Sequence, residues 1–243
     1  YPKMYKEDIL PNLLYKNYIQ TYVEKDIRQI KNVTDLILFK KFMTSCAART
    51  GQQLNLSSLA QDLGISHNTV NSWLSLLVSS YIVFLVQPYY KTYSKRLTKS
   101  PKLYFIDTGL ACSLLGIMNV NEVEQSYLRG SLIETCIMSD LLRQYYNLDT
   151  EPRLYYWRDQ TGNEIDAVLD KSPYPIAIEI KSGMTISSDF FKGLQFWNRL
   201  IKREKGDNYV IYGGNDNQQW TFAEVISWKL SGNILETIDS KPI

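Results

Sequence analysis

The chain has 243 residues, enough for one large domain or two ordinary ones. With 44% hydrophobic and 21% charged residues, it has the composition of a globular protein rather than a disordered one. The formal net charge of +2 is close to neutral, so overall charge does not indicate a nucleic-acid binder, and any basic surface must come from local clustering.

The cysteines and the absence of long apolar runs indicate the compartment. Cys46, Cys112 and Cys136 are odd in number, widely spaced and set among apolar neighbours, which predicts buried reduced thiols in a cytoplasmic protein. No apolar run approaches the roughly 20 residues that span a bilayer. No signal peptide is visible either, so we expect no membrane partner. The first residue is Tyr1 rather than Met, which we expect for a fragment of a longer protein.

The first helices follow from periodicity and capping. Apolar residues at helical spacing predict an amphipathic helix over residues 13–31. Residues 32–35 supply an N-cap for a second helix, from Leu36 to about Arg49, which Gly51 ends. We assign no chemistry to either helix.

Residues 57–79 fit a helix-turn-helix. Ala60 falls where the two helices cross closely, Gly64 falls in the turn that needs a positive φ, and Ser66 caps the second helix. The predicted buried positions are Leu59, Leu63, Ile65, Val70 and Trp73. The predicted outward face of the second helix carries His67, Asn68, Asn71, Ser72 and Ser75.

Two strands, at residues 81–87 and 102–106, follow the helix-turn-helix and flank a loop with basic but no acidic residues. This order predicts a winged helix, with the second helix in a DNA groove and the loop on phosphates. The predicted nucleic-acid-binding residues are Asn68, Asn71, Lys91, Lys95, Arg96 and Lys99. No Lys or Arg occurs from Thr50 to Tyr90, so only the loop could neutralise phosphates, and a winged helix that contacts protein stays open as an alternative.

The second half of the chain predicts a mixed sheet with flanking helices. After a short helix at 110–115, a polar connector at 119–125 marks a domain boundary, giving domains 1–118 and 119–243. A helix over 128–145 and a strand at 155–158 come next. Ser187 and Ser188 are expected to cap a helix over 189–202, followed by a strand at 209–213 and a weaker segment at 221–228. The expected fold class is α/β, an N-terminal helical domain followed by a mixed-sheet domain.

The most informative segment is a predicted β-hairpin around a Pro-containing turn at residues 171–175. In its second strand Glu179 and Lys181 alternate with isoleucines, so both project from one face. Pairing of the strands lets Asp166 approach Glu179, and a bound cation would relieve the repulsion between the two carboxylates. A neighbouring lysine could then orient water or stabilise a phosphoryl oxygen, as in metal-dependent phosphodiester cleavage.

These residues resemble the D…ExK site of the restriction-endonuclease-like superfamily, written PD-(D/E)XK. Further phrases extend the resemblance from about residue 17 to the C-terminus: YVEKDI at 22–27, LAQDLGISHNTV at 59–70, SPKLYFIDTGL at 100–110 and RGSLIE at 129–134. Together they resemble the C-terminal domain of unknown function that follows an AAA-type ATPase domain in many bacterial and archaeal proteins. The resemblance implies a winged helix followed by a PD-(D/E)XK nuclease-like domain.

The resemblance also implies site residues and partners. It implies Asp166, Glu179 and Lys181 as catalytic residues, and Glu134, Asp166 and Glu179 as ligands of Mg²⁺. Glu164 is not included in this set of site residues, and Arg158 is interpreted as a charge at the end of a strand. The resemblance implies an N-terminal P-loop ATPase domain in cis as partner. This chain has no G-x-x-x-x-G-K-[ST] motif, so we expect it not to bind ATP in the P-loop manner itself.

Two functions follow from these residues. One is a Mg²⁺-dependent nuclease that cleaves DNA. The other is a non-catalytic module that binds DNA or protein and targets or regulates the attached ATPase, with the carboxylates as a structural remnant.

Overall fold

A computed structural model describes residues 11–22, 33, 35–90, 99–203 and 207–240. The chain forms two compact units. The first comprises Tyr1–Leu85 and Leu103–Leu132, and the second comprises Val86–Lys102 and Ile133–Ile243.

The first unit is mainly helical. Side-chain caps begin its helices: Asp35 accepts a hydrogen bond from Leu38 N–H, Ser66 from Thr69 N–H, and Asp107 from Leu110 N–H. A small three-stranded sheet has the order β1-β3-β2. The elements are α1 (Pro11–Thr21), α2 (Leu36–Ala47), β1 (Gln52–Gln53), α3 (Leu56–Leu63), α4 (His67–Ser79), β2 (Val83–Val86), β3 (Lys102–Phe105), α5 (Thr108–Leu114) and α6 (Val120–Gln125).

An aromatic cluster joins α2 to α4. The ring of Trp73 meets Phe39 and Phe42 edge-on, at centroid distances of 5.2 and 5.5 Å. All three side chains are buried, and such edge-to-face pairs add to the stabilisation that burial itself provides. The predicted core positions of the helix pair, from Leu59 to Trp73, lie in this same hydrophobic core.

The predicted turn between α3 and α4 is confirmed. Gly64 ends α3 in the left-handed conformation, with φ of 65°, and Ser66 then caps α4. The predicted outward residues Asn68 and Asn71 are exposed.

The second unit is built on a six-stranded mixed sheet in the order β4-β5-β6-β7-β9-β8. The first three strands are antiparallel neighbours, β6, β7 and β9 run parallel, and β8 is antiparallel to β9. This arrangement confirms the expected α/β class, with a helical N-terminal region and a C-terminal mixed sheet. The elements are α7 (Arg129–Asn147, whose first four residues are counted with the first unit), β4 (Leu154–Arg158), β5 (Glu164–Leu169), β6 (Ile176–Lys181), α8 (Lys192–Leu200), β7 (Tyr209–Tyr212), β8 (Gln218–Gln219), β9 (Glu224–Ser227) and α9 (Ile234–Ser240).

The central strands of this sheet are buried on both faces. In β6 every residue except Lys181 is buried, and all of β7 is buried. Helix α8 packs on β5 and β6 with Leu194 and Trp197 in the core. Parallel strands need such cover on both sides.

Two predicted segments are corrected. The polar connector at 119–125 is helix α6, because Asn119 accepts from Glu122 N–H while its own side-chain amide donates to Glu122. Ser187 makes no side-chain cap. The predicted helix at 189–202 instead begins with a 3₁₀ turn at Ser188–Phe191 and continues as α8 to Leu200.

The segment Val86–Lys102 is joined to the second unit by backbone pairing. Tyr89 N–H donates to Tyr156 O at 2.6 Å, and Tyr156 N–H donates to Gln87 O at 3.1 Å. The hydroxyl of Tyr156 donates to Ser100 O at 2.6 Å. These bonds hold both described ends of the segment against β4.

Among the described residues, no helix combines the length and the apolar character needed to cross a membrane.

We predict that Gly64→Ala lowers the free energy of unfolding of the first unit by about 1–2 kcal/mol, because an alanine Cβ is strained at a positive φ. A Cβ at Gly64 would meet no atom within 4 Å, so backbone strain alone sets the effect. Gly130→Ala is the matched control: its Cβ also meets nothing and its φ is not positive, so we expect no loss. Urea unfolding followed by circular dichroism measures both. Equal changes in the two variants would contradict the strain explanation.

Candidate active site in the second unit

The predicted hairpin is confirmed as strands β5 and β6. They pair antiparallel with Ala167 opposite Ile178 and Val168 opposite Ala177. Asp166 and Glu179 are the next residues along the two strands, one step beyond the pair Ala167 and Ile178. Their carboxylates are neighbours, since the charge of Asp166 acts directly on Glu179.

Lys181 lies against both carboxylates. Its Nζ is 3.8 Å from Asp166 Oδ2 and donates a shorter hydrogen bond to Glu179 Oε2. Asp166 Oδ2 also accepts the backbone N–H of Ile180 at 2.7 Å, which fixes the aspartate at the end of the hairpin ladder. The structure therefore brings the three predicted catalytic residues together.

Glu179 is buried because a glycine lies over it. Only 4% of Glu179 is exposed. A Cβ on Gly193 of α8 would overlap Glu179 Oε1, so the missing side chain lets the helix cover the carboxylate. The sequence pattern did not indicate this role for Gly193.

Burial controls the protonation of this cluster. Desolvation and, after it, the charge of Asp166 raise the pKa of Glu179, Lys181 opposes both, and the net pKa is about 8. For Lys181, burial lowers the pKa, but the charges of Asp166 and Glu179 outweigh burial and the net shift is upward. Lys181 therefore stays an ammonium while Glu179 holds its proton near neutral pH.

A second charged cluster is centred on Lys102, which is only 3% exposed. Its Nζ lies 2.9 Å from Glu134 Oε1 and forms a closer ion pair with Glu164 Oε1. Burial lowers the pKa of Lys102, but the two carboxylates outweigh it and raise the pKa overall. On the other side, Arg158 Nη1 lies 3.2 Å from Glu164 Oε2, so Arg158 has an ion-pair partner at the strand end.

Lys102 and Glu164 were missed by the sequence reasoning. Glu164 is two residues from Asp166 on β5, so strand alternation alone indicates that both project from one face. For Lys102 no local signal exists, because its partners lie 32 and 62 residues further along the chain.

The predicted metal ligands do not form one group. Within the described ranges, no three His, Cys, Asp or Glu side chains are arranged to hold a metal ion. Glu134 pairs with Lys102, whereas Asp166 and Glu179 interact with each other and with Lys181. This pair of hard oxygen donors still fits Mg²⁺, which commonly uses one or two carboxylates together with water and phosphate oxygens. The repulsion that raises the pKa of Glu179 is also the repulsion a cation relieves.

The predicted nucleic-acid-binding residues are only partly described. Asn68, Asn71 and Lys99 are exposed. Lys91, Lys95 and Arg96 lie outside the described residues.

The cysteines form no disulfide. Cys46 is buried, and burial raises the pKa of its thiol to about 12. Cys112 and Cys136 are partly buried and take part in no disulfide.

Fold and site together define an α/β protein with a helical first region and a carboxylate–lysine hairpin in its second. Residues 1–121 match the family model described as domain of unknown function DUF8612, and residues 129–230 match that of domain of unknown function DUF4143. Between them the two models cover most of the chain.

Two mycobacterial relatives are similar to the chain. An uncharacterized protein of Mycobacterium tuberculosis and one of Mycobacterium bovis are each 31% identical to it over 170 residues. That stretch covers 70% of this chain but only 38% of each relative. No solved structure is significantly similar.

We predict that the wild-type protein loses stability as pH rises from about 4.5 to about 8. In this window the folded state keeps the proton on Glu179 whereas the unfolded state has lost it, so the folded state binds more protons and stability falls. Glu179→Gln should remove this slope and exceed wild type at pH 9 by more than about 1.4 kcal/mol, the value of one unit of pKa.

Chemical unfolding measured from pH 4.5 to 9 tests the slope. Glu151→Gln, at an exposed position of the same unit, should keep it. Parallel pH profiles for wild type and Glu179→Gln would show that Glu179 does not titrate in this range.

Proposed function

We propose that the second unit is a Mg²⁺-dependent phosphodiesterase of the restriction-endonuclease-like type that cleaves DNA. One observation carries the proposal. The β5–β6 hairpin brings the carboxylates of Asp166 and Glu179 together and places Lys181 Nζ within 4 Å of both.

Asp166, Glu179 and Lys181 have different roles in the proposed reaction. Asp166 and Glu179 would hold Mg²⁺, which when bound polarises a phosphoryl oxygen. Lys181 keeps its proton and can donate a hydrogen bond to an attacking water or to a phosphoryl oxygen. Glu179 must give up its proton to bind a cation, so activity should rise with pH as Glu179 ionises.

We also propose that the natural protein carries an AAA-type P-loop ATPase domain in cis. The sequence resemblance supports this, as does the DUF4143 match. The chain spans 38% of each mycobacterial relative, so those relatives have room for further domains.

A second candidate is a non-catalytic targeting module with a winged helix in its first unit. The order α2, β1, α3, α4, β2, β3 supports the winged helix. Two observations favour a non-catalytic role. Helix α4 has no Lys or Arg, and Lys102 and Lys181 already pair with carboxylates of the second unit. Such internal pairing would also be found in a structural remnant of a nuclease site.

Cleavage of DNA with Mg²⁺ or Mn²⁺ tests the first proposal. With plasmid, branched and single-stranded substrates, we expect Asp166→Asn and Lys181→Met to lose activity by roughly 100-fold or more. Asp189→Asn removes a fully exposed carboxylate and should leave activity unchanged. Mg²⁺ should also raise the melting temperature of wild type but not of Asp166→Asn, and more at pH 8.5 than at pH 6.

The outcomes separate the candidates. Equal cleavage by wild type and Asp166→Asn would indicate a contaminating nuclease and overturn the assignment. Absence of both cleavage and Mg²⁺-dependent stabilisation would leave the targeting module as the function.

Titration with duplex DNA at low salt tests the targeting module. If it targets DNA, affinity should fall steeply with added salt, and Lys95→Gln with Arg96→Gln should weaken binding and flatten the salt dependence, because phosphate contacts release counterions. A paired substitution at Lys40 and Lys41 of α2 is the matched control for lost charge. Absence of binding at low salt would indicate a protein target.

A further inference from the structure

The ammonium of Lys102 is enclosed by groups that attract cations. Its Nζ lies 2.9 Å from Glu134 Oε1, forms a closer ion pair with Glu164 Oε1, and is 5.5 Å from the ring centroid of Tyr156. Tyr156 is itself buried, and its hydroxyl donates to Ser100 O, which holds the ring in place. Carboxylate oxygens and ring faces both bind cations, so the second unit contains a cation site that the chain fills with its own ammonium.

The ion pairs around this site balance one another. Arg158 Nη1 lies 3.2 Å from Glu164 Oε2, so each oxygen of Glu164 faces a cation. The positive charges of Lys102 and Arg158 equal the negative charges of Glu134 and Glu164. These four groups therefore need no metal ion, and a divalent ion placed among them would be repelled by the ammonium.

The hairpin beside this site has a different balance. Asp166 and Glu179 pair with one ammonium, that of Lys181, so one net negative charge remains when both carboxylates are ionised. A divalent cation is therefore favoured at the hairpin. The two groups are close to each other. Burial lowers the pKa of Lys102, but the nearby carboxylates, Asp166 of the hairpin among them, outweigh burial and raise it.

We propose that Lys102 takes the place of a second metal ion, keeps Glu134 from coordinating the metal, and limits the site to one ion bound by Asp166 and Glu179. The proposal rests on the proposed nuclease function and changes it in one respect, since the sequence resemblance implies Glu134 as a ligand. Lys102 is a positioning residue here, because its ammonium is enclosed by protein groups.

The number of Mn²⁺ ions bound per chain tests this role. Electron paramagnetic resonance of free Mn²⁺ at pH 8.5, without DNA, measures it on the whole chain. We expect one ion for wild type and two for Lys102→Met, which removes the ammonium from between Glu134 and Glu164. Adding Glu134→Gln to Lys102→Met should return the number to one. Lys171→Met is the matched control, because it removes an ammonium that pairs with Asp239 instead, and it should keep one ion.

A second comparison does not require removal of Lys102. Glu134→Gln and Glu164→Gln each remove one negative charge beside the same ammonium, so their electrostatic effects on a nearby cation are matched. If Glu134 is not a ligand, the Kd values of the two variants for Mn²⁺ should stay within about threefold of each other. A metal ligand at Glu134 predicts a Kd at least about tenfold higher for Glu134→Gln than for Glu164→Gln. This comparison decides the question if Lys102→Met does not fold.

The outcomes separate this proposal from the nuclease assignment. Two ions on wild type, or a much weaker Glu134→Gln than Glu164→Gln, would overturn the role of Lys102 and leave the nuclease proposal standing. Absence of Mn²⁺ binding by wild type would contradict the nuclease proposal instead. In that case a Mn²⁺ ion gained by Lys102→Met but not by Lys171→Met still supports the role of Lys102, and no gain in folded Lys102→Met overturns it.

Discussion

The second unit depends on compensating charges inside a sheet that is covered on both faces. Glu179 lies on a buried strand beneath α8, and an isolated charge there would cost several kcal/mol. Two features avoid an isolated buried charge. Glu179 retains its proton near neutral pH, and the ammonium of Lys181 lies beside both Glu179 and Asp166. The packing of α8 on the sheet, and the chemistry proposed for the hairpin, both rest on this compensation.

Local patterns predict much of this molecule. Asp35 and Ser66 cap their helices as expected, Gly64 forms the turn, and the hairpin brings Asp166 close to Glu179. These features depend on residues a few positions apart, or on strands joined by a short turn, so spacing is enough to find them.

The features that could not be predicted depend on distance along the chain or on competition between weak signals. Lys102 meets Glu134 and Glu164 only because the fold brings together segments separated by more than 30 residues. Helix α6 is short, and its polar composition concealed the reciprocal capping of Asn119 and Glu122. Ser187 has the composition of a cap, but the 3₁₀ turn that follows leaves it without that bond.

The position of Lys102 at the end of the segment Val86–Lys102 affects how the chain can be divided. The two family models meet between residues 121 and 129, and the chain would naturally be cut there. A piece that begins at this junction would lack Lys102 and also the backbone that pairs with Tyr156. Glu134 and Glu164 would lose the buried ammonium that pairs with both of them. The boundary between the two family matches therefore separates Lys102 from the carboxylates that it pairs with. The smallest intact piece of the second unit must include residues from before the junction.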